Sequence, residues 1–250
     1  MFKNGENMKV LISPVNVQEA VVAWQCGADI IDIKNISKGF LGASFPWVMQ
    51  EIIANIADLN MVCSATLGRL PYEPGTAAFA ALGAVSSGVK YVKAELYGPK
   101  NVVEGLEVMR AVVRACKDYE SDTTVVAAGY ADYQCANSLS PEALIEIAMR
   151  SESDMVMLDL FIKDGKNLFD SLNEQQLERF VRAAHGDGLN VALAGSIRAD
   201  QLGLLASIGV DMVGVRGAVC DAYDRSITID PEKTRRFIDM AKQVPISLHI

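Results

Sequence analysis

Short runs of branched apolar residues alternate along the chain with longer stretches in which apolar residues recur every three or four positions. The short runs are typical of strands, and the longer stretches are typical of amphipathic helices. Eight strands are predicted, at residues 9–13, 29–34, 61–66, 91–94, 123–128, 154–158, 190–194 and 211–215. Because helical stretches separate these strands, eight β-α units in one chain predict a single-domain (β/α)₈ TIM barrel.

Capping signals predict several helix ends. Asn16 with Glu19 and Ser171 with Glu174 resemble capping boxes, in which a side-chain oxygen accepts from the third residue's N–H. Proline directly after a capping residue is typical of a helix start. Such pairs are Ser140-Pro141 and Asp230-Pro231. Further helices are predicted over 47–57, 75–88, 101–117 and 199–207.

A weak internal repeat supports the count of eight β-α units. Gly27, Gly88 and Gly209 each end a helical stretch and are followed by a small or branched residue, a charge and a strand. A doubly wound open sheet is the alternative fold, but its usual G-x-G-x-x-G is absent after the first strand. We expect residues 9–244 to form the barrel, with an extension at 1–8 and a tail at 245–250.

Composition narrows the class of protein. The 250 residues are half hydrophobic and carry a net charge of -8, which argues against non-specific binding to nucleic acid or to an anionic membrane. No apolar run reaches the ~18 residues of a membrane span. The five scattered cysteines favour reduced thiols in a cytoplasmic protein. With only His185 and His249 present, a zinc site or a Ser-His-Asp triad is a weak alternative.

Charged residues end three alternate strands. Asp32 and Lys34 end the second strand, Lys93 ends the fourth, and Asp159 and Lys163 follow the sixth. Active residues of a (β/α)₈ barrel come from these strand ends, and alternate strands share side-chain layers. Three neighbouring ammonium groups lower one another's pKa, so that one of them can attack a carbonyl as a neutral amine. The pattern predicts carbonyl or phosphate chemistry, with salt bridges on the barrel rim as the alternative.

Glycine-containing loops follow the last two strands. They contain Gly195 and Ser196 after the seventh strand, and Arg216, Gly217 and Ala218 after the eighth. These two loops often hold phosphate in this fold, because glycine lets backbone N–H groups approach the oxygens. Ordinary glycine turns are the alternative, and Arg216 could contact phosphate or pair with an acid.

Several motifs together resemble one enzyme family, the (5-formylfuran-3-yl)methyl phosphate synthases. The matching segments are DIIDIKN at 29–35, LGASFPW at 41–47, VAAGYAD at 126–132, LDLFIKDGK at 158–166, ALAGSI at 192–197 and VGVRGA at 213–218. The resemblance runs over about residues 9–242. It implies a (β/α)₈ barrel lyase that condenses two molecules of glyceraldehyde 3-phosphate into a phosphorylated furan aldehyde for methanofuran-type carriers.

The resemblance also implies the residue roles. Lys34 is then the Schiff-base lysine with Asp32 as its acidic neighbour, while Lys93, Lys163 and Asp159 are further active-site residues. Gly195, Ser196, Gly217 and Ala218 help to hold phosphate. This scheme requires no metal and no organic cofactor.

The residues alone leave several questions open. They do not show which of the three lysines is the nucleophile. Lys93 and the loop 35–44 are both candidates for the second phosphate site. The alternatives in function are another Schiff-base aldolase, another triose-phosphate-binding barrel, or a non-catalytic phosphosugar-binding protein. A homo-oligomer is compatible with the sequence, which does not fix the oligomeric state.

Overall fold

Eight parallel strands close into a barrel in the computed structural model, which describes residues 7–35, 42–56 and 61–246. Each strand pairs with the next along the chain, and β8 pairs with β1. The strands are β1 Lys9–Ile12, β2 Ile30–Ile33, β3 Val62–Arg69, β4 Tyr91–Glu95, β5 Thr124–Tyr130, β6 Met155–Asp159, β7 Asn190–Leu193 and β8 Met212–Val215. The predicted barrel is confirmed, and the open sheet is wrong.

Helices join the strands on the outside of the barrel. In the described ranges they are α1 Val17–Gln25, α2 Pro46–Ile56, α3 Pro74–Ser86, α4 Val102–Tyr119, α5 Tyr133–Ala136, α6 Pro141–Arg150, α7 Leu168–Ser171, α8 Glu174–Gly186, α9 Leu202–Ser207 and α10 Pro231–Gln243. Short 3₁₀ turns lie at Ala199–Gln201, Gly217–Val219 and Asp221–Tyr223.

Most predicted helix starts are confirmed by side-chain caps. Asn16, Ser140 and Asp230 accept the expected backbone hydrogen bonds at the starts of α1, α6 and α10. The prediction that Ser171 caps a helix is wrong. Ser171 ends α7, and Asn173 caps α8 in a reciprocal box with Gln176. Asparagine is at least as good an N-cap as serine, so the later box sets the start of the helix.

The repeated glycines adopt the conformation that the repeat predicts. Gly27, Gly88 and Gly209 have φ of +91°, +96° and +87°. A left-handed residue at this place ends a helix by redirecting the backbone, and glycine does so without Cβ strain. Each junction then leads directly into a strand.

Strand β3 is longer than predicted. The prediction ended this strand at residue 66, two residues before Gly68. The pairing with β4 instead shifts register between Thr66 and Arg69, and Gly68 has φ of +80° within this irregularity. The strand therefore continues past Gly68, and its last residue, Arg69, lies at the barrel mouth.

Apolar side chains fill both the space between the strands and the helices and the interior of the barrel. One cluster lies between strands and helices, and a second lies within the barrel, where it includes Met155 and Met157. All five cysteines are free thiols, and none of the helices in the described ranges is long and apolar enough to cross a membrane.

Some sequence predictions fall beyond the described residues. These are the extension at 1–6, most of the loop 35–44, the end of the second helix at 57, His249, and the tail at 247–250. The boundaries proposed for the extension, barrel and tail stay a prediction.

Candidate active site

Asp32, on β2, is the centre of a buried hydrogen-bond network in the barrel mouth. Its Oδ1 accepts hydrogen bonds from the Ser64 hydroxyl at 2.7 Å and from the Nζ of Lys93. Its Oδ2 accepts from the Ser13 hydroxyl at 3.0 Å and lies 3.4 Å from the Nζ of Lys34. Burial of a carboxylate is tolerated when its lone pairs are satisfied, as they are here. The predicted strand-end residues of β2 and β4 thus meet at one carboxylate.

The pKa values in this network follow from burial and from charge. Burial alone would raise the pKa of Asp32, but Lys93, Lys34 and the Ser64 hydroxyl outweigh it and hold the pKa well below its usual range. Burial lowers the pKa of Lys93 against the opposing pull of Asp32. Asp32 is therefore an ionised anchor at neutral pH, and Lys93 is a weaker base than a surface lysine.

A second acid–lysine pair lies across the barrel at the end of β6. Asp159 is buried, contacts the Nζ of Lys163, and accepts a hydrogen bond from the Leu160 N–H at 2.7 Å. Burial opposes ionisation of Asp159, but Lys163 and then Lys34 lower its pKa overall. Burial also lowers the pKa of Lys163. Because Lys34 acts on both carboxylates, it lies between the two pairs.

A cavity of about 370 Å³ opens from this cluster. Lys34, Asp32, Asp159 and Lys163 line one side, and the loops after β7 and β8 line the other. Lys93 is 2 % exposed and lies below the cavity rather than on its wall. The cavity can therefore bring a small anionic carbonyl compound to Lys34 or Lys163.

The loop after β7 bends sharply at the cavity. Gly195 and Ser196 have φ of +113° and +54°, which places two successive residues in the left-handed region. A Cβ on Gly195 would lie 3.0 Å from Leu160 Cγ. The turn therefore needs glycine for its φ and for the close packing beneath it.

The loop after β8 starts a 3₁₀ turn at Gly217–Val219. Within it, the N–H groups of Val219 and Cys220 bond to Arg216 and Gly217 carbonyls. The first N–H groups of a helical turn have no partner inside that turn. The N–H groups of Gly217 and Ala218 therefore have no partner within the turn, and both residues line the cavity.

Arg216 pairs with an acid. Its guanidinium binds Glu19 of α1, with the nearest N–O distance 2.7 Å, and donates to the carbonyls of Ser13, Arg225 and Ile227. The side chain is 4 % exposed. Its donors are thus engaged within the protein, and of the two alternatives for Arg216 the structure has the ion pair.

Arg225 lines the same cavity and was missed by sequence reasoning. It lies beyond the 3₁₀ turn Asp221–Tyr223, in a loop without a strand-end signal. Its half-buried guanidinium makes no hydrogen bond or ion pair with another described residue. Burial lowers its pKa, while Asp159 acts in the opposite direction. A partly desolvated cation facing a cavity is suited to an anionic ligand.

Two other features lie away from this cluster. A larger cavity, about 650 Å³, lies outside the barrel between the loops after β5 and β6 and contains none of the predicted site residues. His185 bonds to Asp211, just before β8, at 2.8 Å, so it lies at the opposite end of the barrel. Within the described ranges, no group of His, Cys, Asp and Glu side chains is arranged to hold a metal ion.

The fold and the site define an enzyme of the (β/α)₈-barrel class, with lysines and aspartates at the mouth and glycine turns facing them. The family model for 4-HFC-P synthase matches residues 10–238. The chain therefore belongs to the 4-HFC-P synthase family, which confirms the family and the enzyme class predicted from the motifs and is consistent with a lyase.

Curated relatives agree with this membership. A (5-formylfuran-3-yl)methyl phosphate synthase of Methanopyrus kandleri is 50% identical over 218 residues, which are 87% of this chain and 92% of that protein. One of Methanocaldococcus jannaschii is 45% identical over 94% of this chain and 100% of its own length.

Solved structures agree on the fold alone. A structure titled KGPDC from Streptococcus mutans aligns with TM-score 0.66 at 13% identity, over 96% of this chain and 99% of that one. A 3-hexulose-6-phosphate synthase aligns with TM-score 0.63 at 15% identity, over 92% of this chain and 100% of that one.

Proposed function

We propose that this chain condenses two molecules of glyceraldehyde 3-phosphate into 4-(hydroxymethyl)-2-furancarboxaldehyde phosphate, through a Schiff base on Lys34. The product would supply methanofuran-type carriers in the cytoplasm. The observation that carries the proposal is the position of Lys34, on the wall of the mouth cavity between Asp32 and Asp159. Family membership and the names of the relatives support the product.

Geometry favours Lys34 among the three lysines. Lys93 is enclosed by the barrel and bonded to Asp32, so a substrate carbonyl does not reach it. Lys163 reaches the cavity but is in direct contact with Asp159. Lys34 reaches the cavity with its nearest described carboxylate oxygen at 3.4 Å, a loose pairing that leaves its Nζ available for attack.

The reaction needs one nucleophilic amine and several proton transfers. Lys34 adds to the aldehyde of one triose phosphate and, with loss of water, forms an imine. Removal of a proton from the neighbouring carbon gives an enamine, which attacks the second aldehyde. Overall, two triose phosphates give one furan aldehyde phosphate, one phosphate and two waters. Asp32 and Asp159 would stabilise the iminium charge, and Asp159 with Lys163 would move protons.

Each substrate carries a phosphate that must be held. The loops after β7 and β8 would cradle one of them, with backbone N–H groups of Ser196, Gly217 and Ala218 facing the cavity and Arg225 as the charged partner. Lys93 is too deeply buried to serve as the second phosphate site, and most of the loop 35–44 is outside the described residues.

Incubation with glyceraldehyde 3-phosphate alone tests the proposal. We expect phosphate release together with a strong new ultraviolet absorbance from the furan aldehyde. Borohydride should trap the substrate on Lys34, as peptide mass spectrometry can show. A Lys34→Ala variant should give no adduct and lower turnover by roughly 10⁴-fold or more.

Lys90→Ala is the matched control. Lys90 is exposed at the other end of β4 and binds Asp122 at 2.9 Å, so its loss should change neither labelling nor turnover. Full labelling of Lys34→Ala would overturn the assignment of the nucleophile. An adduct without furan absorbance would indicate a different aldolase, and a triose-phosphate-induced melting shift without turnover would indicate a binding protein.

A further inference from the structure

The loop between β6 and α7, residues 160–167, forms part of the wall of the mouth cavity. Lys163 and Gly165 of this β6 loop both line that cavity. The loop contains neither a strand nor a helix, so no regular ladder of backbone hydrogen bonds fixes its path. Contacts from outside the loop must therefore determine where Lys163 lies.

Asp132, at the end of β5, makes such contacts. Its Oδ1 accepts a hydrogen bond from the Phe161 N–H at 2.7 Å, and its Oδ2 accepts one from the Ile162 N–H at 2.9 Å. The carboxylate thus holds the two backbone N–H groups that directly precede Lys163. Hydrogen bonds to an ionised acceptor are stronger than those between neutral groups. Asp132 itself lines the outer cavity and not the mouth cavity, so any effect on the reaction passes through the β6 loop.

The side chain of Asp132 is directed away from its own helix. Asp132 is the N-cap residue of α5, yet its carboxylate makes no capping hydrogen bond to that helix. Aspartate is among the preferred N-cap residues, because its carboxylate usually accepts from an N–H of the first turn. Here the Asp132 carbonyl alone accepts from the turn, with the Cys135 N–H at 2.8 Å. The carboxylate therefore serves the β6 loop rather than α5.

Backbone contacts fix the surroundings of this arrangement. The Ala131 N–H donates to the Asp159 carbonyl at 2.8 Å, which continues the pairing of β5 with β6 and brings Asp132 beside the loop. At the far end of the loop, the Leu168 N–H donates to the Gly195 carbonyl at 2.8 Å. The β6 loop is thus held by β5 at one end and by the turn after β7 at the other, and its lysine lies between the two.

We propose that Asp132 is a positioning residue that holds Lys163 at the cavity wall beside Asp159, an inference that rests on the proposed function. Lys163 contacts Asp159, and this pair would move protons in the proposed reaction. Proton transfer requires donor and acceptor within hydrogen-bond reach. Without the two hydrogen bonds from Phe161 and Ile162, the loop can carry Lys163 away from its partner.

Asp132→Ala tests this role. We expect kcat for furan formation to fall by about 10- to 100-fold, as expected when a catalytic group is misplaced by about 1 Å. KM for glyceraldehyde 3-phosphate should change by less than about 3-fold, because the proposed phosphate cradle belongs to other loops. Borohydride trapping on Lys34 should continue at the wild-type level. Asp132→Asn keeps one acceptor oxygen and should recover part of kcat.

Asp154→Ala is the matched control. Asp154 directly precedes β6, at the end of the strand away from the mouth, and accepts a hydrogen bond from the Val125 N–H at 2.7 Å. The control therefore removes the same kind of bond between neighbouring elements, and it should lower the melting temperature without a fall in kcat. An equal fall in kcat for Asp154→Ala and Asp132→Ala would overturn the inference, because loss of stability would then explain both.

A double variant shows whether Asp132 acts through Lys163. In a Lys163→Ala background, Asp132→Ala should change kcat by less than about 2-fold, since coupled residues are not additive. If Asp132→Ala does not fold, Asp132→Asn takes its place in this comparison. A further loss as large as in the single variant would overturn the inference, as would a folded Asp132→Ala with the kcat of the wild type. Both results leave the proposed function intact, whereas a wild-type chain that forms no furan overturns the two together.

Discussion

The barrel mouth has two unlike halves. The paired half contains acids bonded to lysines; its members are Asp32, Lys34, Lys93, Asp159 and Lys163. The acid half contains one carboxyl with a distant arginine and two aromatic rings; its members are Glu95, Arg69, Tyr97 and Phe161. Both halves bury carboxyl groups at strand ends, yet they shift the pKa values in opposite directions.

The difference lies in the number of donors around each carboxyl. Burial raises the pKa of every buried acid, so a low value requires enough opposing positive charge and hydrogen bonds. Asp32 has two lysines and two hydroxyl groups, whereas Glu95 has one arginine at 3.9 Å. One mouth thus holds ionised acids beside a neutral one.

The largest expected effect comes from breaking the paired half. Asp32→Asn removes the charge that compensates Lys93 and Lys34 inside the barrel. Leaving a buried cation unpaired costs about 3–5 kcal/mol of the free energy of unfolding. Urea unfolding at pH 7 measures this loss.

Asp122→Asn is the matched control, since Asp122 is exposed and pairs with Lys90. A solvent-exposed pair of this kind contributes little to stability. Equal loss in both variants would contradict the view that Asp32 anchors the paired half.

The next effect concerns the pH dependence of stability in the acid half. The pKa of Glu95 is raised from 4.5 in the unfolded chain to about 8 in the fold, so the native state binds more protons between these values. Stability should therefore fall as the pH rises from about 4.5 to about 8. Glu95→Gln lacks this titration. Between pH 5 and pH 8, its free energy of unfolding should therefore rise by about 2–4 kcal/mol relative to that of the wild type.

Urea unfolding at both pH values gives this difference. Subtraction of the two proteins cancels the other titrating groups. Parallel curves for wild type and Glu95→Gln would show that Glu95 is ionised at pH 7 and that the two halves do not differ in this way.

The smallest expected effect concerns Arg225, the cation of the cavity that has no described partner. Arg225→Gln should raise KM for glyceraldehyde 3-phosphate by about 10- to 100-fold, as expected from the loss of a charged hydrogen bond of about 1.5–3 kcal/mol. The melting temperature should change little, because no described residue loses a bond. Arg235→Gln, on the exposed face of α10, is the control, and an unchanged KM in Arg225→Gln would contradict phosphate binding there.

The sequence was sufficient for the barrel and for the paired half. Strand-end position and alternation place Asp32, Lys34, Lys93 and Asp159 in one mouth once the fold is known, because the geometry of parallel strands is regular. The choice of Lys34 needed the family resemblance, and the structure adds that Lys93 is enclosed.

The rest depends on contacts that a linear pattern does not contain. Arg69 was missed because the irregularity at Gly68 extends β3 beyond the predicted end. Arg225 was missed because it comes from a loop without periodicity. The pairing of Arg216 with Glu19 is a contact between distant elements, and nothing local in either residue specifies it.

That ion pair has a consequence for how the enzyme is made. Arg216 and Glu19 are 197 residues apart in the chain, so α1 and the end of β8 meet only after almost the whole barrel has been synthesised. Contacts of such long range form slowly, because the entropy of closing a large loop is lost before the contact compensates it. A nascent chain therefore acquires the loop after β8, and with it the proposed phosphate cradle, only at barrel closure. A half-built barrel has Lys34 but lacks the loop that we propose to hold the substrate.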